Sequence, residues 1–501
     1  MTSPAASAPR AKPAPGTTPA GSAGLLGGFR LIPAFERDPG YVTFACTTAG
    51  KLYLLGLFGM GLAIQNGARY AVILSAILGG ATFLPQHRRL VLTGGTLLWL
   101  VANPFWFDWS LPEHVGKIST LAGGLNLRAL YITGLVGVFG FGALVIGWAR
   151  RHPQSLLCTQ PVLTLGIFYA AMLLFASYGA PDGARLAAWL FLVAFGAYFW
   201  FFAYALSDQR TRDGDSVALE FGTFHPFWGS TTTPLPKGAA YLRRIEAKDA
   251  QELAVSQWKA LKLFIWVCVL SFCNLVFTKL IHGAFHIPTF QDAFDRGAAH
   301  APYPVYVCWL ALIAAFAENL LVTSVWGHTV IACCRMAGFR ALRNTYRPLA
   351  ARTIAEFWNR YYFYFKELLV EFFFYPTFFR FFKGRTRLRL AAATFAAAGL
   401  GNMFFHFIRD VGYVAQLGLW RALMGFRVYA FYCLVLSTGI VISQLRNKAP
   451  RRTARWFRAP LFQRLGVVLF YCLLQVFDVT GRSHPISTHL AYLLHLFGIG
   501  R

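Results

Sequence analysis

The stretch GNMFFHFIRD, residues 401–410, places an amide and an imidazole in an otherwise apolar sequence. Asn402 and His406 lie four residues apart, so on an α-helix they would share a face and could share a partner. An imidazole titrates near neutral pH and can therefore serve as a general base. A lone histidine in an apolar helix is more often a core residue held by a neighbour, so the spacing alone indicates a candidate site. Arg409 and Asp410 follow shortly after, which indicates that His406 lies near a polar level of the membrane.

A second unusual segment lies upstream, at residues 354–382, with the sequence IAEFWNRYYFYFKELLVEFFFYPTFFRFF. It is strongly aromatic, yet it carries charged residues at six positions: Glu356, Arg360, Lys366, Glu367, Glu371 and Arg380. Charges are costly inside a membrane, so they must face protein, water or the interface. Basic residues flank both ends of the segment, and broken helices are tolerated where they line a cavity or are buried in protein. The pattern predicts interfacial or re-entrant helices.

The composition predicts the class of protein that positions these residues. The chain has 501 residues, of which 56% are hydrophobic and 13% are charged, and its mean hydropathy is +0.48. A soluble domain carries about 25% charged residues. Apolar stretches near the roughly 20 residues needed to cross a membrane recur along the whole length. We therefore expect an all-α polytopic integral membrane protein, with membrane lipids as its surroundings.

The net charge of +27 does not indicate nucleic-acid binding, because the basic residues cluster in short loops between apolar segments. Their alternation from loop to loop follows the positive-inside rule and predicts a cytoplasmic N-terminus, in a plasma (inner) membrane. The nine cysteines are scattered without a CxxC pair, so we expect neither a disulfide framework nor a metal site.

The apolar segments divide the chain into regions. Residues 1–40 are predicted to be a disordered cytoplasmic tail, 41–206 a first set of transmembrane helices, 207–258 a cytoplasmic or interfacial loop, and 259–501 a second membrane region. About eleven transmembrane helices are expected in total. This number is drawn from twelve candidate segments: 43–65, 69–85, 89–109, 128–148, 161–178, 184–206, 259–281, 303–327, 390–408, 413–444, 461–478 and a terminal 486–499.

Residues 344–410 resemble the core of the membrane-bound O-acyltransferase superfamily. Members carry an arginine-containing lead-in, an aromatic element around Phe-Trp, a Tyr-Pro pair, and later a histidine in an apolar helix. The matching features here, in the same order, are Arg352, the run Phe357–Arg360, Tyr375-Pro376 and His406. One position departs from the pattern, because Tyr362 stands where many members have a second histidine or an asparagine.

The resemblance implies acyl transfer from an acyl thioester such as acyl-CoA to a hydroxyl group, in a central catalytic tunnel. His406 would be the general base, and the auxiliary catalytic role stays open among Asn402, Tyr362 and Asn359. The resemblance further implies a substrate- and donor-binding set of Trp358, Arg360, Glu367, Glu371, Tyr375 and Arg380. A structural network of ion pairs explains the charged members of that set equally well.

Acyl-CoA would be a co-substrate, and no permanently bound cofactor is expected. The acceptor is left open among a polysaccharide, a lipid, a peptide and a small metabolite, and the oligomeric state is also left open. Two other classes compete with the acyltransferase: a transporter or flippase with a polar intramembrane site, and a glycosyltransferase using Asp292 and Asp295. The unusual polar element occurs once rather than in paired halves, which favours the enzyme over a transporter.

Overall fold

The computed structural model describes residues 32–102, 126–179, 181–211, 215–224, 235, 237–446, 460–478 and 484–499. Residues 1–31 of the predicted tail, the region that follows residue 102 in the predicted span 89–109, and parts of the 207–258 loop lie outside the described residues. Within the described ranges the chain is helical, and its β-structure is one isolated bridge between Glu246 and Phe339. This confirms the all-α class.

The first half of the chain contains ten helices in the described residues. They are α1 (Pro39–Cys46), α2 (Thr48–Asn66), α3 (Ala68–Phe83), α4 (Arg88–Ala102), α5 (Leu127–Arg151), α6 (Leu156–Thr159), α7 (Pro161–Leu174), α8 (Asp182–Arg210), α9 (Val217–Phe224) and α10 (Ala239–Ile245).

The second half begins with three helices, of which two are long. They are α11 (Ala250–Thr278), α12 (Phe290–Ala298) and α13 (Val305–Met336). The remaining helices are α14 (Ile354–Tyr361), α15 (Phe363–Leu369), α16 (Tyr375–Arg380), α17 (Thr386–Thr394), α18 (Asn402–Arg409), α19 (Val411–Leu417), α20 (Leu419–Arg446), α21 (Pro460–Leu474) and α22 (Ile486–Leu496). A π-helical turn, Phe395–Gly401, joins α17 to α18, so that Thr386–Arg409 forms one continuous helix.

Seven helices of the described residues are long and apolar enough to cross a membrane, and the number rises to nine if two bent pairs each count as one span. The chain is thus an integral membrane protein, and the total of eleven spans stays a prediction. The bent pairs are α1 with α2, at 95°, and α3 with the helix that follows it, at 110°. Segment 354–382 forms the short helices α14, α15 and α16, and their interfacial or re-entrant placement stays a prediction.

Helix α8 is the centre of the bundle. Its apolar window is 83% buried inside the protein, whereas that of the neighbouring span Pro161–Gly179 is 22% buried and faces outward. Phe199 and Trp200 of α8 contact Phe404 and Phe405 of α18, with ring centroids 5.7 Å and 5.6 Å apart. The close approach depends on Gly196, because a Cβ there would lie 3.0 Å from the Ile408 carbonyl oxygen. Helix α8 therefore fixes the position of the helix that carries His406.

Candidate functional site around His406

His406 packs against Tyr429 of α20. The two rings lie 4.2 Å apart between centroids and are inclined at 44°. The Tyr429 hydroxyl donates a hydrogen bond to Oδ1 of Asn402 at 3.4 Å. Asn402 and His406 therefore share one partner, as their spacing of four residues predicts. Asn402 is completely buried, so it reaches the surroundings of His406 through Tyr429 rather than through solvent.

The other walls around His406 are aromatic. Its imidazole is half-buried and lies 6.3 Å from the Phe365 ring and 5.5 Å from the Phe405 ring. Tyr432 stacks on the far side of the site against Tyr429, with centroids 5.0 Å apart and planes 14° apart. Rigid rings of this kind hold an imidazole in one orientation and keep bulk water from it.

Tyr362 lies at the break between helices α14 and α15, which the preceding loop stabilises. Helix α14 starts with an N-cap, in which the Thr353 hydroxyl accepts from the backbone N–H of Glu356 at 3.0 Å. It ends at Tyr361, and Tyr362 adopts a non-helical conformation. Asn344 then takes both first N–H groups of α15, through its backbone carbonyl to Phe363 and its side-chain oxygen to Tyr364. The first two backbone N–H groups after the break therefore have hydrogen-bond acceptors.

The break brings Tyr362 towards the His406 helix. Phe365 contacts both residues, since its ring centroid lies 5.7 Å from that of Tyr362 and 6.3 Å from that of His406. Tyr362 also lies within electrostatic range of Arg409. Burial raises the pKa of the Tyr362 phenol, so at neutral pH the phenol is a hydrogen-bond donor rather than a phenolate.

Charged groups border the site on one side. Arg409 binds the carboxylate of Asp410 with two hydrogen bonds, from Nε at 2.7 Å and from Nη2 at 3.1 Å. Asp478, which directly follows the Gln475–Phe477 turn, acts electrostatically on Arg409, Tyr429 and Tyr432. A cation between two carboxylates is well compensated, so these charges can remain at a depth where an isolated charge would be costly.

The structure separates the remaining residues of the predicted set. Trp358 contacts Phe365 at 5.7 Å and so belongs to the walls of the site. Asn359 is exposed on α14. Tyr375 and Arg380 are exposed on α16, where Tyr375 stacks on Phe379. All three are exposed, whereas His406, Asn402, Tyr429 and Tyr362 are buried or half-buried.

Three of the four charged residues of the predicted donor-binding set form ion pairs. Arg360 binds Glu356 at 2.7 Å, and Glu367 binds Lys366. Glu371 binds Nζ of Lys237 at 3.0 Å, and that amine also donates to the Tyr204 hydroxyl at 3.2 Å. The geometry is that of the ion-pair alternative. Aromatic rings link this second cluster to the first, because Phe372 contacts Tyr204 at 4.8 Å and Trp200 at 6.3 Å.

Sequence reasoning missed three residues of these clusters: Tyr429, Asp478 and Lys237. Asp478 carried a usable signal, since it is an acid at the very end of the apolar segment 461–478. Tyr429 carried none, because it is one of several aromatic residues in a long apolar helix. No metal-binding group of three or more suitable side chains occurs among the residues that the structure describes. No known family model matches the chain, and no curated protein is significantly similar to it.

Proposed function

We propose that the protein is an integral membrane acyltransferase that moves an acyl group from an acyl thioester to a hydroxyl of an acceptor. The observation that carries the proposal is the packing of the half-buried His406 imidazole against Tyr429, with Asn402 holding the Tyr429 hydroxyl. An oriented imidazole among apolar walls suits a general base. The ordered likeness of residues 344–410 to acyltransferases supports the same reading.

In the proposed reaction one proton passes from the acceptor hydroxyl to the imidazole and then to the leaving thiolate. The imidazole removes the proton of the acceptor hydroxyl while the oxygen attacks the thioester carbonyl. The tetrahedral intermediate then collapses, the carbon–sulfur bond breaks, and the imidazolium returns the proton to the leaving thiolate. Ester and free thiol are the products, so no external acid, base or oxidant is consumed.

We assign the auxiliary roles to different residues. Tyr362 is the proposed donor to the oxyanion, because its phenol is protonated and its ring, like that of His406, contacts Phe365. Asn402 is a positioning residue, because its side-chain oxygen is engaged by Tyr429. Asn359 has no proposed catalytic role, since it is exposed.

The test measures thiol release from acetyl-CoA and palmitoyl-CoA by the purified protein, with glycerol and host-membrane lipids offered as acceptors. Thiol release reports transfer of the acyl group to any offered acceptor, or to water, that can take it. We expect His406→Ala to lose nearly all activity, by about a hundredfold or more, as loss of a general base does. His152→Ala, at an exposed histidine that directly follows α5, is the matched control and should retain activity. Full activity of His406→Ala would refute the proposed mechanism.

A transporter or flippase is the second candidate, and a different observation favours it. Glu318 lies within α13, a membrane helix, where its Oε1 is 3.1 Å from Nε2 of His282 and accepts a 2.9 Å bond from Thr278. Carboxylates at such depths often mark ion or substrate pathways. If the wild-type protein releases no thiol, but moves labelled lipid or solute in liposomes and loses this on Glu318→Gln, the transporter reading is correct.

A further inference from the structure

An aromatic groove of about 690 Å³ lies between α1, α2 and α11, away from His406. Its main lining residues are Phe35, Tyr41, Phe44, Tyr53, Trp258 and Ile265. Phe44, Tyr53 and Ile265 are 40%, 52% and 37% exposed, so the protein itself leaves the apolar lining uncovered. The volume falls in the range of about 300–1,000 Å³ typical of small-molecule sites.

The charges on α11 place the groove at one membrane boundary. After Lys259 and Lys262, the helix carries no Asp, Glu, Lys or Arg until Lys279, which leaves an apolar length of roughly 24 Å at 1.5 Å per residue. Helix α13 packs along α11 and reaches its own terminal cation, Arg335, at the same level, because Ser256 donates to the Arg335 carbonyl at 2.8 Å. Trp258, Tyr41 and Tyr53 form the aromatic belt expected at that depth.

The course of α1 fits the same boundary. It meets α2 at 95°, so if α2 crosses the membrane, α1 lies along its surface. The bend depends on Gly50, because a Cβ there would lie 1.9 Å from the Phe44 carbonyl oxygen. The Trp258 indole N–H then fixes α1 to α11 by donating to the Tyr41 carbonyl at 2.9 Å. The groove is therefore a built feature of the fold.

Positive charge predominates beside the groove. Lys259 adjoins Trp258 and lies within electrostatic range of Arg37, Arg335 and Arg340. Two acids nearby are paired with cations, since Glu36 binds Lys262 at 3.3 Å and Glu252 binds Arg340 at 2.7 Å, while Asp38, which lines the groove, accepts from the Gly40 N–H. Lys259 and Arg37 are exposed, and both can meet an anion at this level.

We propose that this groove binds an anionic phospholipid of the leaflet that faces the basic loops. One acyl chain lies along Tyr53 and Ile265, and the phosphate meets Lys259 and Arg37. Apolar lining, interfacial depth and excess positive charge together match this chemistry, and each basic residue near an anionic headgroup contributes about 1 kcal/mol. A long-chain acyl-CoA has the same two features, but the groove is walled by α1, α2 and α11, whereas His406 is enclosed by α15 and α20. The inference is independent of the proposed reaction.

The test titrates phosphatidylglycerol or phosphatidylcholine against the full-length protein in detergent and counts bound lipids by native mass spectrometry. We expect one tightly held phosphatidylglycerol, and roughly tenfold or greater weakening in the double variant Arg37→Gln with Lys259→Gln. Ile265→Trp, which fills the groove without changing charge, should weaken binding similarly. The matched control, Lys383→Gln with Arg385→Gln, removes two exposed cations elsewhere and should change nothing.

Three results would overturn the assignment. The first is equal binding of both lipids by the wild-type protein, which needs no variant and so decides the matter even if a variant fails to fold. The second is unchanged phosphatidylglycerol binding in both the charge and the filling variants. The third is displacement of phosphatidylglycerol by palmitoyl-CoA together with a raised KM for palmitoyl-CoA in both groove variants, which would make the groove a donor site.

Discussion

The Tyr429 hydroxyl donates to Asn402 at 3.4 Å while the Tyr429 ring lies 4.2 Å from the His406 imidazole. One residue of α20 thus joins the two polar side chains of α18. Asn402 and His406 do not need to touch in order to be coupled, because the orientation of a single ring depends on both.

Tyr429→Phe tests this coupling because it keeps the ring and removes the hydroxyl. One hydrogen bond contributes about 0.5–1.5 kcal/mol, so we expect kcat to fall about threefold to tenfold with KM unchanged. The pH profile of kcat should also shift, since the imidazole is held differently. Tyr346→Phe, at an exposed tyrosine, is the control. Identical kcat and pH profiles in Tyr429→Phe and wild type would rule out the positioning role.

The buried carboxyl of Glu220 leads us to expect a fall in the stability of the protein at alkaline pH. Its carboxyl is completely buried on α9, outside the seven membrane helices, and accepts a 3.1 Å bond from Gln209. Burial raises the pKa of Glu220 from 4.5 to about 8. The folded protein therefore binds this proton more tightly than the unfolded chain, so the stabilisation is complete below about pH 4.5 and is lost as the pH rises through about 8.

Glu220→Gln should remove that loss, because glutamine keeps the shape and the partner but cannot ionise. We expect the melting temperature in detergent to fall by roughly 3 °C from pH 6 to pH 9 in wild type and to change little in the variant. Glu252→Gln, at a partly exposed ion pair with Arg340, should behave like wild type in this range. Parallel curves for wild type and Glu220→Gln would contradict the assignment.

The ion pair of Lys237 and Glu371 allows a test of whether Glu371 has a structural role or binds the acyl donor. The Lys237 side chain is 8% exposed, so Glu371→Ala leaves a buried amine poorly compensated, although the 45% exposure of Glu371 limits the cost to about 1 kcal/mol. We expect lower stability with unchanged KM for palmitoyl-CoA, and partial rescue when Lys237→Met is added. A tenfold rise in KM without loss of stability would instead make Glu371 a donor-binding residue.

The membrane helices could be predicted from the sequence because each is a long apolar run with polar ends. The predicted span 128–148 corresponds to the observed helix Leu127–Arg151, and the predicted span 303–327 corresponds to Val305–Met336. The longer ends have a physical reason, since helices continue past the apolar zone until a cap stops them. The shared partner of Asn402 and His406 also followed from local spacing.

Residues that contact the candidate site but are distant from it in sequence could not be predicted. Tyr429 is one aromatic residue of a helix with many, and only packing against α18 distinguishes it. Lys237 pairs with an acid 134 positions away, which no local pattern encodes. The π-helical turn Phe395–Gly401 is equally invisible in the sequence LAAATFAAAGLG, where nothing interrupts an ordinary helical pattern.

That π-helical turn gives the last prediction, at Gly401. A Cβ on Gly401 would lie 2.7 Å from the Phe373 ring, which the π-helical turn brings against α18 just before Asn402. Gly401→Ala must push Phe373 or α18 aside, so we expect overpacking to cost about 1–3 kcal/mol and kcat to fall with it. The control is Gly384→Ala, where a Cβ meets nothing within 4 Å. Adding Phe373→Leu should restore both quantities, because the smaller side chain vacates the space; failure to restore them would show that the contact does not position α18.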